Sequence, residues 1–377
     1  MDLTFSAEDE AFRSQARAWL EAHVPKATLR SGDTREGFVD HLAWERALFD
    51  AGWSVVAWPR AYGGRDATLM QWLIFEEEYW RAGAPQRVTQ NGIFLLAPTI
   101  FAFGTDEQKE RLLRPIAAAE CLWAQGWSEP GAGSDLASLR SRAERVPGGF
   151  RLYGQKTWTT RGAFCDKIFG PFRTDERAAA HAGLSYFLVP LHAEGVSVRG
   201  CARLDGDEGF ADVFLDGVFV PDSDVLGGVG NGWKVAMSTT SSERALSLRA
   251  PGRFMAVAER LRGLCQSSER GTDPVLRDRV VRALIDAEAY RCHTFALATR
   301  MQAGHELGPE ASLSKLFWSE MDVTTHETAL ALLGDEGELE GPWSKQYQFA
   351  LAGPIYAGTN EIQRNVVAER VLGLPRK

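Results

Sequence analysis

Apolar positions recur with a helical period through the first third of the chain. Phe12, Ala16, Trp19 and Leu20 share one face behind Ser6-Ala-Glu-Asp9, which reads as a helix start capped by Ser6. Leu69, Trp72, Leu73, Phe75 and Tyr79 repeat the pattern and predict a helix over 68–81. Thr105-Asp-Glu-Gln108 has the spacing of a capping box, in which hydroxyl and carboxamide satisfy N–H groups that a helix start leaves bare. It opens a helix through about Ala118. Near Cys121 the pattern changes to short β-prone runs punctuated by turns. Residues 150–153 before Gly154, and 185–189 ending at Pro190, read as strands. Residues 211–215, the pair Asp216-Gly217 and residues 218–220 read as a hairpin. Long helical patterns return from Trp233, over about 233–266, 274–303, 309–333 and 359–372. The order predicts an α+β multidomain fold. It comprises an N-terminal α-helical domain at 1–120, a middle β-barrel or sandwich domain at 121–228 and a C-terminal four-helix bundle at 229–377.

Composition narrows the function. The chain has 377 residues, enough for two or three domains, and its apolar content of 45% supports sizeable cores. The net charge, 42 − 50 = −8, argues against a general nucleic-acid binder. Five scattered cysteines with no CxxC pair read as reduced thiols of a cytoplasmic protein. The acidic start is no targeting peptide, and the apolar stretch 92–104 contains Pro98 and is too short to span a bilayer. The histidines lack HExxH spacing, so no metal site is expected, and no GxSxG nucleophile motif occurs. Gly227-Gly-Val-Gly-Asn-Gly232 follows a Pro-Asp-Ser-Asp loop rather than a clear parallel strand. It therefore reads as a helix-opening turn and not as a nucleotide cradle.

Four segments carry the chemistry. They are Gln125-Gly-Trp-Ser-Glu-Pro-Gly-Ala-Gly-Ser-Asp135, Lys156-Thr-Trp-Thr-Thr160, Leu226 through Met237 leading to Glu243-Arg244, and Tyr356-Ala-Gly-Thr-Asn-Glu-Ile-Gln-Arg364. Small residues at 131–134 let backbone N–H groups approach an anion or a flavin edge, and Ser128 and Ser134 add hydroxyls. In this order the segments resemble the acyl-CoA dehydrogenase family over nearly the whole chain. The resemblance implies FAD as cofactor and α,β-desaturation of an acyl thioester, by proton removal at Cα and hydride transfer from Cβ to the flavin. It places Gln125, Trp127, Ser128, Gly133 and Ser134 along the flavin and the start of the thioester site. Trp158, Thr159 and Thr160 would lie beside the flavin ring, and Thr359 and Glu361 would add cofactor contacts. Ser134, Ser241, Arg244, Ala357 and Gly358 would contact substrate.

Much of the family carries its base directly after the tyrosine of the fourth segment. That position is Ala357 here, which cannot take a proton. Branched- and long-chain members instead carry a glutamate before an arginine on the first long C-terminal helix. Glu243, before Arg244, matches that alternative and is the expected base. The Ala357 N–H remains available to the thioester oxygen, and its methyl leaves room for a branched, cyclic or bulky acyl group.

A second departure concerns assembly. Ser267-Ser-Glu-Arg-Gly271 stands where homotetrameric members carry Arg-x-x-Phe-Gly, and Ala331 stands where a glutamine is typical. The flavin-ring side is intact, while the half donated to a neighbour's FAD is weakened. The chain is similar to bacterial members that assemble as α2β2 heterotetramers and act on steroid-type side chains. An active homo- or heterotetrameric enzyme and a weakly catalytic partner subunit therefore both stand. The resemblance also implies an electron-transfer flavoprotein as redox partner, and acyl-CoA or another pantetheine thioester as substrate.

Overall fold

The computed structural model describes residues 4–178, 181–244, 250–305 and 308–375, and only the backbone of 241–244. Helices come first: α1 (Ala7–His23), α2 (Arg35–Asp50), α3 (Leu69–Arg81), α4 (Ala97–Phe103) and α5 (Asp106–Ala117). Strands follow: β1 (Trp123–Gln125), β2 (Arg142–Val146), β3 (Gly149–Lys156), β4 (Lys167–Arg173), β5 (Leu184–Pro190), β6 (Val196–Cys201), β7 (Phe210–Pro221) and β8 (Val225–Leu226). The chain then returns to helix: α6 (Gly232–Arg244), α7 (Pro251–Ser267), α8 (Pro274–Gln302), α9 (Ala311–Leu333), α10 (Pro342–Ala350) and α11 (Asn360–Val366). The expected order of helices, sheet and helices is the order observed. In space the chain forms two compact units. One, the helical unit, gathers the chain up to Val24, Ala67–Ala84 and the chain from Arg244. The other, the sheet unit, holds Pro25–Asp66 and Pro85–Glu243.

In the sheet unit the strands run β6-β7-β3-β2-β4-β5-β8, with β1 pairing β4 in parallel. Strands β4 and β5 are buried almost throughout, and Phe172, Phe187, Val189, Val213 and Val218 meet in one apolar core. Helix α5 is capped by Thr105 and Gln108 as its sequence foretold. Gln108 also donates to the carbonyls of Ser223 and Val225, at 2.9 and 3.1 Å, and so ties α5 to the end of the sheet.

The helical unit packs α3 against α1 and α7, α7 against α8, and α8 against α9, with α10 and α11 on α9. Its cores are Phe254, Ala258, Ala287, Tyr290, Trp318 and Met321, and a second group around Leu261, Val280 and Leu332. Buried Glu78 of α3 meets Arg17 and Arg81, each at 2.8 Å. Among the described residues no helix is long and apolar enough to cross a membrane.

Two local expectations are corrected. The predicted hairpin at 211–220 is one continuous strand, β7. Opposite it, Leu152 pairs with Val218 and Tyr153 with Asp216, so Gly217 is an extra residue bulged out of the ladder. Its φ of 70° is the left-handed conformation that a turn would also use, which is why the Asp-Gly pair read as one. The helix expected over 233–266 is two helices, α6 and α7, with residues 245–249 outside the described set. Pro251 heads α7, where its missing N–H costs nothing, but it cannot continue a helix from before it. Helices α2, α4 and α10 lay outside the expected set.

A Cβ at Gly217 would meet only ordinary contacts, the nearest at 3.5 Å, so the cost of replacement is conformational. Gly217→Val should lower stability by about 1–2 kcal/mol, the penalty of a left-handed L-residue, read as a lower urea midpoint.

Candidate active site

The first motif is held from beneath by a buried ion pair. Glu129 accepts from Lys156 Nζ at 2.9 Å, from the Arg140 N–H at 2.7 Å and from the Ser141 N–H at 3.0 Å. Lys156 is fully buried and also donates to the Pro171 carbonyl at 3.0 Å. Burial alone would raise the Glu129 carboxyl. The charge of Lys156 and the bonds from Arg140, Lys156 and Ser141 outweigh it and hold the group below the usual carboxylate range. Glu129 and Ala132 exchange two backbone hydrogen bonds, at 2.9 and 3.0 Å, which closes the loop above the pair. Gly131 and Gly133 sit on that loop with open space where a Cβ would be, and Gly133 and Ser134 are exposed. The loop therefore offers backbone and a hydroxyl to a ligand, as a flavin edge requires.

The second motif lies against the first. The Thr157 N–H donates to the Ser128 carbonyl at 2.9 Å, and half-buried Ser128 and Thr160 stay accessible. Trp158 takes a φ of 56° and is 66% exposed, its ring edge-on to Phe210. A large apolar side chain held outward in a strained conformation is unusual unless something covers it. Thr159 is fully buried, and its backbone exchanges two 3.0 Å bonds with Ala211. Arg161 repeats the positive φ, at 56°, and its buried guanidinium meets Asp33 at 2.7 Å. Asp33 also pairs with Arg203 at 2.8 Å, so the turn at 158–161 is braced by a charged cluster.

A buried polar chain runs from this region to α6. Trp127 donates from Nε1 to the Tyr186 hydroxyl at 3.1 Å, which is 3.4 Å from the Thr239 hydroxyl. Thr239 in turn is 2.9 Å from the Thr99 hydroxyl. Thr239 precedes Glu243 by one helical turn. Glu243, Ser241 and Arg244 stand on α6, but their side chains lie outside the described residues.

The fourth motif belongs to the helical unit. Ala357 and Gly358 both take positive φ, 57° and 79°, and both are half-buried. Thr359 caps α11 and accepts from the Ile362 N–H at 3.3 Å. Glu361 is exposed, its carboxylate drawn below the ordinary range by its own backbone N–H and by Thr359. Asn360 is buried and fastened to α9: its Oδ1 accepts from Lys315 at 2.7 Å and from Ser319 at 3.1 Å. Gln363 is fully buried and donates from Nε2 to the carbonyls of Ala357 and Gly358, at 3.1 and 3.2 Å. Its Oε1 has no partner among the described residues, a deficit of about 1–3 kcal/mol.

The sheet unit thus brings together Gln125, Trp127, Ser128, Gly133, Ser134, Trp158, Thr159 and Thr160. The helical unit holds Ala357, Gly358, Thr359 and Glu361. Sequence reasoning passed over the groups behind them: Lys156 with Glu129, Asp33 with Arg161, Tyr186 with Thr239, and Gln363. Lys156, Glu129 and Gln363 sit inside the quoted motifs, so their signal was present but carried no partner. Asp33 and Arg161 are more than a hundred residues apart, and nothing local marks them as a pair.

Three family models match in order: the acyl-CoA dehydrogenase N-terminal domain over residues 6–120, the middle domain over 124–218 and the C-terminal domain over 230–372. The acyl-CoA dehydrogenase IpdE1 of Mycobacterium tuberculosis is 39% identical, over 98% of each chain. Among solved structures, a chain of the Tcur3481-Tcur3483 steroid ACAD is 29% identical with a TM-score of 0.89, covering all of both chains. A chain of the ChsE4-ChsE5 complex from Mycobacterium tuberculosis is also 29% identical, with a TM-score of 0.84 and the same coverage.

Removing the counter-charge beneath the first motif should be costly. Lys156→Met is expected to destabilise the protein by about 3–5 kcal/mol, because it strands a buried carboxylate. Adding Glu129→Leu should recover most of the loss, measured by urea unfolding. The depressed Glu129 carboxyl contributes stability above its ordinary pKa range and loses it as pH falls through the folded value. The double variant should therefore lose less stability on acidification than the parent.

Proposed function

The chain belongs to the acyl-CoA dehydrogenase family and is an oxidoreductase acting on acyl-CoA; from that premise we propose α,β-desaturation of a branched, cyclic or otherwise bulky acyl thioester with FAD. The observation that carries the flavin assignment is the second motif: Ser128 and Thr157 join the two motifs, and Trp158 is held outward in a left-handed conformation beside them. On this reading Gln125, Trp127, Ser128 and the 133–134 turn hold the cofactor together with the 158–160 segment. Thr359 and Glu361 are further proposed cofactor contacts. FAD, when bound, supplies the acceptor for the hydride that leaves Cβ.

Glu243 is the proposed base and takes the proton from Cα. A carboxylate suits the step when partial burial brings its pKa toward working pH. The Ala357 N–H is the proposed donor to the thioester oxygen, where negative charge develops as the proton leaves. Among the described residues no acceptor meets that N–H. Ser134, Ser241, Arg244 and Gly358 are the remaining proposed substrate contacts, and the alanine methyl at 357 leaves the space a bulky acyl group needs. The names of the steroid dehydrogenase relatives support a steroid-derived side chain or ring fragment as the acyl group. Electrons would leave through an electron-transfer flavoprotein. The proposed domain limits remain 1–120, 121–228 and 229–377.

A second reading is favoured by one feature of the helical unit. The Ser267 hydroxyl is spent on the Gly263 and Leu264 carbonyls of its own helix, each at 3.2 Å. It cannot replace an arginine that reaches a neighbour's cofactor. On this reading the chain is a weakly catalytic member of an α2β2 assembly whose partner supplies that contact, as the two-chain names of its structural relatives suggest for them. Arg270, whose guanidinium lies against Gly334, is the local cation that would serve a homo-oligomer instead.

Anaerobic titration with a panel of acyl-CoAs should bleach the flavin with branched or steroid-like thioesters. Glu243→Gln should slow that bleaching by about 10²–10⁴-fold, the range for loss of a general base; an undiminished rate would remove Glu243 from the mechanism. Light-scattering mass with flavin quantitation decides the assembly. One flavin per chain in a tetramer of this chain alone favours the homo-oligomer. Flavin retained only after co-expression with a second chain favours the partner reading.

A further inference from the structure

The turn at 356–359 is strained where the proposed oxygen donor sits. Ala357 is one of five non-glycine residues with positive φ among the described residues, and Gly358 follows it into the same region. Gly358 takes this conformation freely, but at Ala357 it costs free energy that surrounding structure must offset. Asn360, through Lys315 and Ser319, fastens the start of α11 to α9, and its N–H closes across the turn to the Pro354 carbonyl at 2.8 Å, but it makes no hydrogen bond to Ala357 or Gly358. Gln363 does: one buried carboxamide nitrogen spans the carbonyls of both left-handed residues.

We propose that Gln363 is a positioning residue, whose carboxamide clamps the Ala357 and Gly358 carbonyls and so holds the Ala357 N–H in place for the thioester oxygen. In a trans peptide each carbonyl points opposite to the following N–H. Fixing these two carbonyls fixes the two peptide planes that follow Ala357, with the Gly358 and Thr359 N–H groups turned away from Gln363; the Ala357 N–H lies in the preceding plane, and the clamp places it by holding Ala357 in its left-handed conformation. Gln363 itself is fully buried. The opposite orientation of its amide would set Oε1 against two carbonyl oxygens. The orientation present leaves Oε1 without a partner, so donation to the turn is the interaction that the side chain retains. Because Lys315 and Ser319 hold α11 independently, loss of the clamp should loosen the turn without detaching the helix.

The inference rests on the proposed dehydrogenase reaction, and its test separates the two. The FAD-loaded wild-type protein, Gln363→Met and Gln363→Glu are mixed anaerobically with the acyl-CoA that bleaches the wild type best. Flavin reduction rate per bound flavin, the acyl-CoA Kd and the pH profile are read together. Gln363→Met keeps the shape without the donor and should reduce about 10²-fold more slowly, the cost of a misplaced contact, with Kd changed less than about threefold. Gln363→Glu should behave like the methionine variant when ionised. As pH falls it should gain rate relative to the methionine variant, because the neutral carboxyl again donates to a carbonyl. Wild-type rates per flavin in both variants, or losses that only track flavin content and melting temperature, overturn the clamp. A wild type that no acyl-CoA reduces overturns the proposed reaction itself, and the clamp with it.

Discussion

The buried pair between Glu129 and Lys156 is the interaction on which the first two motifs depend. A charge in a protein core is expensive to bury, and a lone one would be neutralised or expelled. Here the carboxylate is satisfied by an ammonium and two backbone N–H groups, and the ammonium also by the Pro171 carbonyl on β4 and the Trp127 carbonyl of the first motif. Each bond crosses from one segment to another. The pair therefore registers the loop at 126–135, the end of β3 and the start of β2 against β4. Once that register is set, Ser128 meets Thr157 and the exposed glycines face outward.

Above this base the chain stores strain where the proposed chemistry needs precision. Trp158 and Arg161 both occupy left-handed conformations, and Ala357 does so in the helical unit. Arg161 and Ala357 each have a brace that is buried and polar. Asp33 and Arg203 stand behind Arg161, and Gln363 behind Ala357. The arrangement is consistent: a side chain or an N–H presented outward is held from the other side by groups that solvent does not reach. Such braces cost desolvation and gain geometry. They are tolerated because large apolar cores in both units supply the bulk of the stability.

The buried chain from Trp127 through Tyr186 to Thr239 and Thr99 adds a further constraint within the sheet unit. It links the first motif to α6 one turn before the proposed base. Ser267 and Ala331 show the opposite behaviour. Where the family's homotetramers place long polar groups, this chain has short ones, and Ser267 bonds only within its own helix.

The sequence by itself determined the α, β, α order of elements, the caps of α1 and α5, and the family. These are local or ordered-motif signals: a cap is written within four residues, a helical face within a dozen, and four spaced motifs need no fold to be read. It was ambiguous wherever a local signal has two solutions. Asp216-Gly217 suits a turn and a bulge equally, and only the pairing of β7 with β3 chose the bulge. A long helical pattern from Trp233 did not show its interruption before Pro251. Tertiary structure alone decided which buried polar groups meet. Glu129 and Lys156 lie 27 residues apart and Asp33 and Arg161 far more, and side chains that distant share no pattern along the chain. Burial makes each such partner obligatory, because an unpaired charge in the core is too costly to keep, but only the folded topology says which partner it is.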